Sequence, residues 1–421
     1  MRFVADLHLH SRYARATSPD LSFPAIHHWA ARKGIDVVGT GDFTHPEWAA
    51  QLREQLVEGG DGLLELRASP LRAATACLPA SCRRPVRFVL SVEISCIYKK
   101  AGRTRKVHNL IMLPDLGAME RFRGRLGALG NIGADGRPIL GLDSRNLLEL
   151  ALEASPEAVF IPAHIWTPHF SVLGSGSGFD SLGECFDDLL PCIHAVETGL
   201  SSDPPMNWRL SQLDPYVLVS SSDAHSAPRL GREATCFDGP LTWEGIRAAL
   251  ERRGPSRCTG TLEFHPEEGK YHFDGHRACS VCWDPATTLA AGGICPRCGK
   301  PLTVGVLHRV EILADRPAGY RPDHAGAFEY LVPLAEVIGA ARGCAPGATG
   351  VAQVYDKLLA ELGPELSILR QVPAEAVERC GEPLVAEGLR RMRAGQVSVQ
   401  PGHDGQYGIV ALFAPGERQR L

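Results

Sequence analysis

Arg2-Phe-Val-Ala-Asp6-Leu-His8-Leu-His10 opens the chain, and its reading decides the fold. Phe3–Leu9 reads as a β-strand with a polar residue at alternate positions near its end. Alternate strand residues point the same way, so Asp6, His8 and His10 can converge where the strand leaves a sheet. Two imidazoles at this spacing suit a divalent metal.

The same signature recurs at later strand ends. Gly41-Asp42-Phe-Thr-His45 follows a strand at residues 37–40, and Glu93 lies within a strand at 87–98. His108 lies on its hairpin partner at 106–113, and His164 follows the strand at 159–163. Glu197 lies in a short strand at 195–198, and Ser222-Asp223-Ala-His225 follows the strand at 216–221. Helices alternate with these strands: one opens at Ser22 and ends near Lys33-Gly34, and others start near Pro46, Ser144 and Thr242. This alternation predicts an α/β barrel, whose sites gather at the C-terminal ends of its strands. A solitary histidine such as His27, His28 or His324 reads as core or surface. The repeated set reads as a metal site, with Asp6 and Glu197 as residues that orient ligands.

One zinc ion takes about four or five ligands. So many donors imply two or three divalent ions sharing a carboxylate, with zinc, magnesium and manganese all admissible. Ions about 4 Å apart suit in-line displacement at phosphorus, which needs no Ser, Cys or Lys nucleophile.

Composition limits the alternatives. The 421 residues carry a net charge of −4, so phosphate binding must rest on local patches rather than global charge. Lys99–Lys106 is one patch, with Arg12 and Arg15 nearer the ligands; Arg390, Arg391 and Arg393 read as a solvated helix face. No apolar run approaches the ~20 residues of a membrane span. His8 lies too close to the start for a targeting segment, and 13 cysteines are an odd number for a secreted disulfide framework. The expectation is a cytoplasmic protein without membrane contact. Three regions are expected: a barrel over 1–260, a zinc module over 261–315 and a mainly helical domain over 316–421. Cys279-x2-Cys282-x12-Cys295-x2-Cys298 predicts one closed structural zinc site.

Asp6-Leu-His8-Leu-His10, Asp42 to His45, Glu93, His108, His164 and Asp223-Ala-His225 resemble the motifs of the PHP (polymerase and histidinol phosphatase) superfamily. The resemblance implies a distorted seven-stranded TIM-like barrel with up to three metals. His8, His10, Glu93 and Asp223 would bind one ion, and Glu93 would bridge to a second held by His108 and His164. The Asp42/His45 segment and His225 would take a third. Two departures weaken that third site: Ser11–Ser18 lacks the acidic residue common after the first motif, and the usual adjacent Asp-His is spread into Asp42-Phe-Thr-His45.

The stretches HSRYARATS (10–18), GTGDFTHPEW (39–48), HIWTPHFSVLGSGSGFDS (164–181) and SSDAHS (221–226) are similar to endonuclease Q, over essentially the whole chain. That family implies a DNA-repair nuclease cutting 5′ to hypoxanthine, uracil, xanthine or an abasic site. His8, His10, Glu93, His108, His164, Asp223 and His225 would be catalytic, and Arg12 and Arg15 would hold the phosphate. The loop carrying His169, Ser171, Gly174, Ser175, Gly176, Ser177 and Gly178 would line a pocket for the extruded base. The C-terminal helices would contact DNA, a damaged duplex or single strand. A sliding clamp is an expected protein partner, and the expected location is the cytoplasm, on the nucleoid when engaged. The competing expectations are a small-molecule phosphatase of the same superfamily and a non-catalytic scaffold. Lesion cutting, phosphate release and zinc at the cysteines alone would distinguish the three.

Overall fold

The computed structural model describes residues 1–420. Its first part runs β1 (Arg2–Asp6), β2 (Val37–Gly39), β3 (Leu56–Glu58), β4 (Leu64–Leu66), β5 (Arg87–Lys100), β6 (Arg103–Leu113), β7 (Ile139–Leu140) and β8 (Val159–Pro162). It continues with β9 (Ala195–Glu197), β10 (Val217–Val219), β11 (Ala234–Asp238) and β12 (Arg257–Glu263). Most strands belong to one eleven-stranded sheet, with β1 between β2 and β11; β9 and β10 pair with each other.

The buried side chains reveal how the sheet curls. Phe3 and Ala5 of β1, Val37 of β2, Val89 of β5, Leu110 and Met112 of β6 and Ile161 of β8 form one buried cluster with Ala195 of β9, Val217 and Val219 of β10 and Phe237 of β11. Residues from eight strands meet in one cluster because the sheet wraps around its own inner face. The bonds Ile165 N–H→Glu197 O (3.0 Å) and Thr198 N–H→Val219 O (2.9 Å) continue the wall from the end of β8 to β9 and β10. Full burial of each Val, Leu, Ile, Phe or Met side chain among them contributes about 1.5–3 kcal/mol.

The strands are not uniformly parallel. β1–β2, β2–β5 and β9–β10 are parallel, whereas β1–β11, β5–β6 and β6–β8 are antiparallel. The cause at β5–β6 is local. Ala101 and Gly102 both take positive φ (50° and 73°), which turns the chain straight back into a hairpin. A parallel neighbour needs a longer crossover, such as the capped helix Phe23–Lys33 between β1 and β2. There Ser22 accepts from Ala25 N–H, and Gly34 ends the helix at φ 90°.

Beyond residue 263 the chain stays in contact with this sheet. β13 (Asp274–His276) and β14 (Val281–Trp283) form the hairpin of the cysteine module. β15 (Ala327–Tyr330) pairs in parallel with β12 and extends the main sheet. Helices at Leu334–Arg342, Thr349–Leu362 and Pro383–Arg393 follow, then the hairpin β16 (Ser398–Gln400) and β17 (Ile409–Ala411). The C-terminal helices lock onto helix Phe23–Lys33 through the buried Lys33–Glu365 pair at 2.7 Å. The C-terminal tail returns to the cysteine module through Phe273 N–H→Gly402 O at 2.9 Å. Arg390, Arg391 and Arg393 serve this packing: the first two pair with glutamates, and Arg393 donates to the carbonyls of Ile368, Leu369 and Val372. Among the described residues no helix is long and apolar enough to cross a membrane.

Candidate metal centre

Glu93 and His108 share the inner face of the β5–β6 hairpin, because Glu93 faces Leu110 and Ser95 faces His108 in the register. They are diagonal neighbours, close enough for side chains to touch. His108 Nδ1 lies 2.7 Å from Glu93 Oε1, and His164 Nε2 lies 3.0 Å from the same oxygen. These three residues form one buried donor group, and His8, His10 and Asp223 form another. Glu93 also connects the groups, with His10 Nε2 3.4 Å from its Oε2.

Both imidazoles of the first motif are gripped from behind. His8 Nδ1 lies 3.0 Å from both oxygens of Glu197, and His10 Nδ1 lies 3.1 Å from Asp42 Oδ1. Glu197 accepts the His164 N–H (2.9 Å), and Asp42 accepts from the Ser11 N–H (2.6 Å) and hydroxyl (2.7 Å). A carboxylate on Nδ1 fixes the ring and leaves Nε2 as the metal-binding atom. His8 Nε2 is buried without a hydrogen-bond partner, 3.7 Å from Glu93 and 3.8 Å from Asp223. An orphaned buried nitrogen among carboxylates fits a divalent ion between them.

The backbone is shaped for this convergence. Asp42, His164 and Asp223 take φ of 47°, 30° and 46°, a region costly for side-chain-bearing residues, at ~1–3 kcal/mol each. Gly199, at φ 65°, lies against His164, and a Cβ there would overlap the histidine's own Cβ. Asp6 accepts from Ser222 N–H (3.0 Å) and Gly231 N–H (2.9 Å), which braces the turn carrying Asp223.

Charge explains the protonation states. Burial opposes charge on His8, yet Glu197 and Glu93 outweigh it and hold the imidazole pKa well above normal. His10 behaves likewise against Asp42 and Asp223. Burial would raise the Glu93 pKa, but His108, Arg137 and His8 draw it well below the carboxylate range. His108 is pushed down to about 4 by burial.

The other expected residues are distributed unevenly. Asp42 orients His10. His45 stacks on Tyr13 (4.3 Å) at the start of helix Pro46–Gln55, and His225 rests its Nδ1 2.9 Å from the Asp223 carbonyl. Among the described residues these three do not form a donor group of their own. Arg12 donates to the Leu21 carbonyl at 3.0 Å, and Arg12 and Arg15 are both exposed. His225 opens onto a cleft of about 1730 Å³ between the barrel mouth and the cysteine module, where His169, Ser175 and Gly176 also lie. Ser171 and Ser177 are buried, donating to the carbonyls of Thr167 and Lys106. Gly174 and Gly178 let the loop pack against itself, since a Cβ on either would strike loop backbone. The basic hairpin tip is partly committed too. Lys100 pairs with Asp187 (2.7 Å), Arg105 holds the Gly178 carbonyl over Phe179, and Lys106 lies over Phe170.

In the cysteine module the structure gathers Cys279, Cys295 and Cys298 with His276. Cys282 lies apart from this group, with Sγ 3.8 Å from the Pro401 carbonyl. The β13–β14 register gives the reason: His276 faces Val281, so the next residue, Cys282, points to the opposite face. His276 precedes Cys279 by the same spacing that separates Cys279 from Cys282, and that was the available signal. Arg137 is a second addition, with Nη1 2.9 Å from Glu93 Oε2. No motif marks it, because a loop brings it there.

A family model described as the MJ0043 C-terminal domain matches residues 333–396. The uncharacterized protein YqxK of Bacillus subtilis is 30% identical over 425 residues, spanning 97% of this chain and 99% of that one. The uncharacterized protein MJ0043 of Methanocaldococcus jannaschii is 28% identical over 244 residues, spanning 55% of this chain and 30% of that one. The crystal structure of the lesion-specific endonuclease PfuEndoQ from Pyrococcus furiosus superposes with a TM-score of 0.85 at 30% identity, covering 100% of this chain and 97% of that one. An endonuclease Q bound to a 27-mer duplex with an abasic lesion at its active site superposes with a TM-score of 0.84 at 29% identity, covering 100% and 98%. Likeness of this extent in both sequence and fold makes the chain a member of the endonuclease Q family.

Proposed function

We propose that this protein is a DNA-repair endonuclease that hydrolyses the phosphodiester on the 5′ side of a deaminated base or an abasic site. The observation that carries the reading is the pair of donor groups joined at Glu93, one buried and the other half-open at Asp223, in a chain that aligns end to end with a lesion-specific endonuclease. His8, His10 and Asp223 would hold one divalent ion, and Glu93, His108 and His164 a second. Two is the number these groups support; Asp42, His45 and His225 would be the place of any third. Zinc fits the imidazole-rich donors, with manganese or magnesium as alternatives. Such ions, when bound, supply an acidic water and offset charge on the phosphate and leaving oxygens.

The remaining work falls to the chain itself. Glu197 and Asp42 keep the Nδ1 protons of His8 and His10 and aim both Nε2 atoms inward. The cleft beyond His225 is large enough for a nucleotide lifted from a weakened pair, with His169 at its edge. The cysteine module would carry one structural zinc. DNA, as damaged duplex or single strand, is the proposed partner, and the cytoplasm, on the nucleoid when engaged, the proposed location. A sliding clamp is the proposed protein partner.

A direct competition separates this reading from a phosphatase. A deoxyinosine duplex and a panel of phosphomonoesters are offered to the same metal-loaded sample. The reading expects lesion-dependent nicking and negligible phosphate release; phosphate release without nicking would overturn it.

A further inference from the structure

We infer that Arg137 is a catalytic residue that binds a non-bridging oxygen of the scissile phosphate, an inference that rests on the nuclease reading above. Among the described residues, Arg137 is the one Lys or Arg whose side chain pairs with a carboxylate of the donor groups. A single Nη1–H reaches Glu93 at 2.9 Å, and the side chain is 25% exposed. Its other guanidinium N–H groups make no protein hydrogen bond and are not sealed in the interior. The head is therefore anchored to the carboxylate between the two donor groups, with donors left over at the accessible side.

The loop that carries Arg137 is built to hold it there. Asp135 Oδ1 accepts from the backbone N–H of Arg15 (3.2 Å) and of Arg137 (3.0 Å). Gly136 N–H donates to the Tyr13 carbonyl (2.9 Å), and Ser95 N–H donates to the Pro138 carbonyl (3.0 Å). The loop is thus tied both to the segment after His10 and to the strand that carries Glu93. Position 136 must be glycine for this approach, because a Cβ there would overlap the Asp42 carboxylate. Support from two sides of the site is more than an arginine needs merely to offset one carboxylate.

The chemistry follows from guanidinium geometry. Five N–H donors lie in a rigid plane, and an arginine holding a carboxylate with one of them can still offer others to a phosphate oxygen. In the hydrolysis, the oxygen of water bonds to phosphorus and one bridging P–O bond breaks. One water proton ends on the leaving oxygen and the other remains on the new phosphate. Arg137 neither gives nor takes a proton; it stabilises charge on the non-bridging oxygen as the phosphorus centre is attacked.

The test compares wild type, Arg137→Ala and Arg137→Lys on a duplex with one deoxyinosine. Bound metal per chain and melting temperature are measured on the same samples. The expected result is a kcat at least about 100-fold lower for Arg137→Ala, with KM, metal content and melting temperature close to wild type. Guanidinium chloride, but not sodium chloride at equal ionic strength, should restore part of the Arg137→Ala rate. Arg137→Lys should fall between the two, since a single ammonium lacks the fork. An unchanged kcat in Arg137→Ala, beside an active wild type, overturns the inference and leaves the nuclease reading intact. So does a loss of rate that tracks a loss of metal, which would make Arg137 only a prop for Glu93. A wild type that cuts no lesion DNA removes the nuclease reading and this inference with it.

Discussion

His8 presents Nδ1 to both oxygens of Glu197 at 3.0 Å while its Nε2 is buried with no partner at all. The two facts have one cause. Glu197 fixes the ring so that Nε2 faces Glu93 and Asp223, and a divalent ion in that gap, taking the place of the proton, would give this nitrogen the close partner it lacks.

Removing the support should therefore weaken the ion without removing a ligand. Glu197→Ala is expected to lower metal affinity about 10–100-fold, with the fold retained. His8→Ala should empty its donor group outright. Metal content after dialysis against graded chelator checks both, and equal retention by Glu197→Ala and wild type would contradict the role.

Metal uptake should release protons. The metal-free site holds His8 and His10 with pKa values well above the ordinary imidazole value. Both are then protonated at neutral pH and must lose a proton to ligate. Affinity should fall as pH falls. Calorimetric titration in two buffers of different ionisation enthalpy should give different apparent heats, the difference measuring the protons released.

The cysteine module makes an asymmetric prediction. His276→Ala should lose zinc, whereas Cys282→Ser should keep it, because Cys282 faces away from the other three cysteines. Zinc per chain after gel filtration decides between them. Loss of zinc in Cys282→Ser with retention in His276→Ala would restore the four-cysteine arrangement.

These residues also mark how far the sequence could be read. His8, His10, Glu93, His108, His164 and Asp223 stood out because each lies in or just after a strand, where alternation and barrel geometry direct side chains to one mouth. His276 was hidden because the spacing of the four cysteines already filled a tetrahedral site, and only the hairpin register reveals that Cys282 faces elsewhere. Arg137 was hidden because its position depends on contacts from Tyr13 and Ser95, far away in sequence. The glycines at 174 and 178 suggested close approach to a ligand, yet they serve close approach within their own loop. Composition cannot distinguish those two uses of a missing Cβ.

Glu263 behind the site should make stability fall with rising pH. Burial, against hydrogen bonds from the Ser220 and Thr198 hydroxyls, pushes its pKa up to about 8. An unfolded glutamate titrates near 4.3. Between these values the unfolded chain has lost the proton that the folded chain keeps, so stability declines across this window as pH rises. Glu263→Gln should remove that contribution. Its melting temperature should exceed that of wild type at pH 8, with a smaller difference at pH 5; the opposite ordering would contradict the assignment.

The most direct test of the account is to map the cut on an end-labelled duplex carrying one abasic site. Metal-loaded wild type and His8→Ala are compared, with an undamaged duplex as control. The account predicts one nick immediately 5′ of the lesion by wild type, abolished by chelator, absent with His8→Ala and absent on undamaged DNA. Cleavage by His8→Ala at the wild-type rate, or equal cleavage of undamaged DNA, would contradict it.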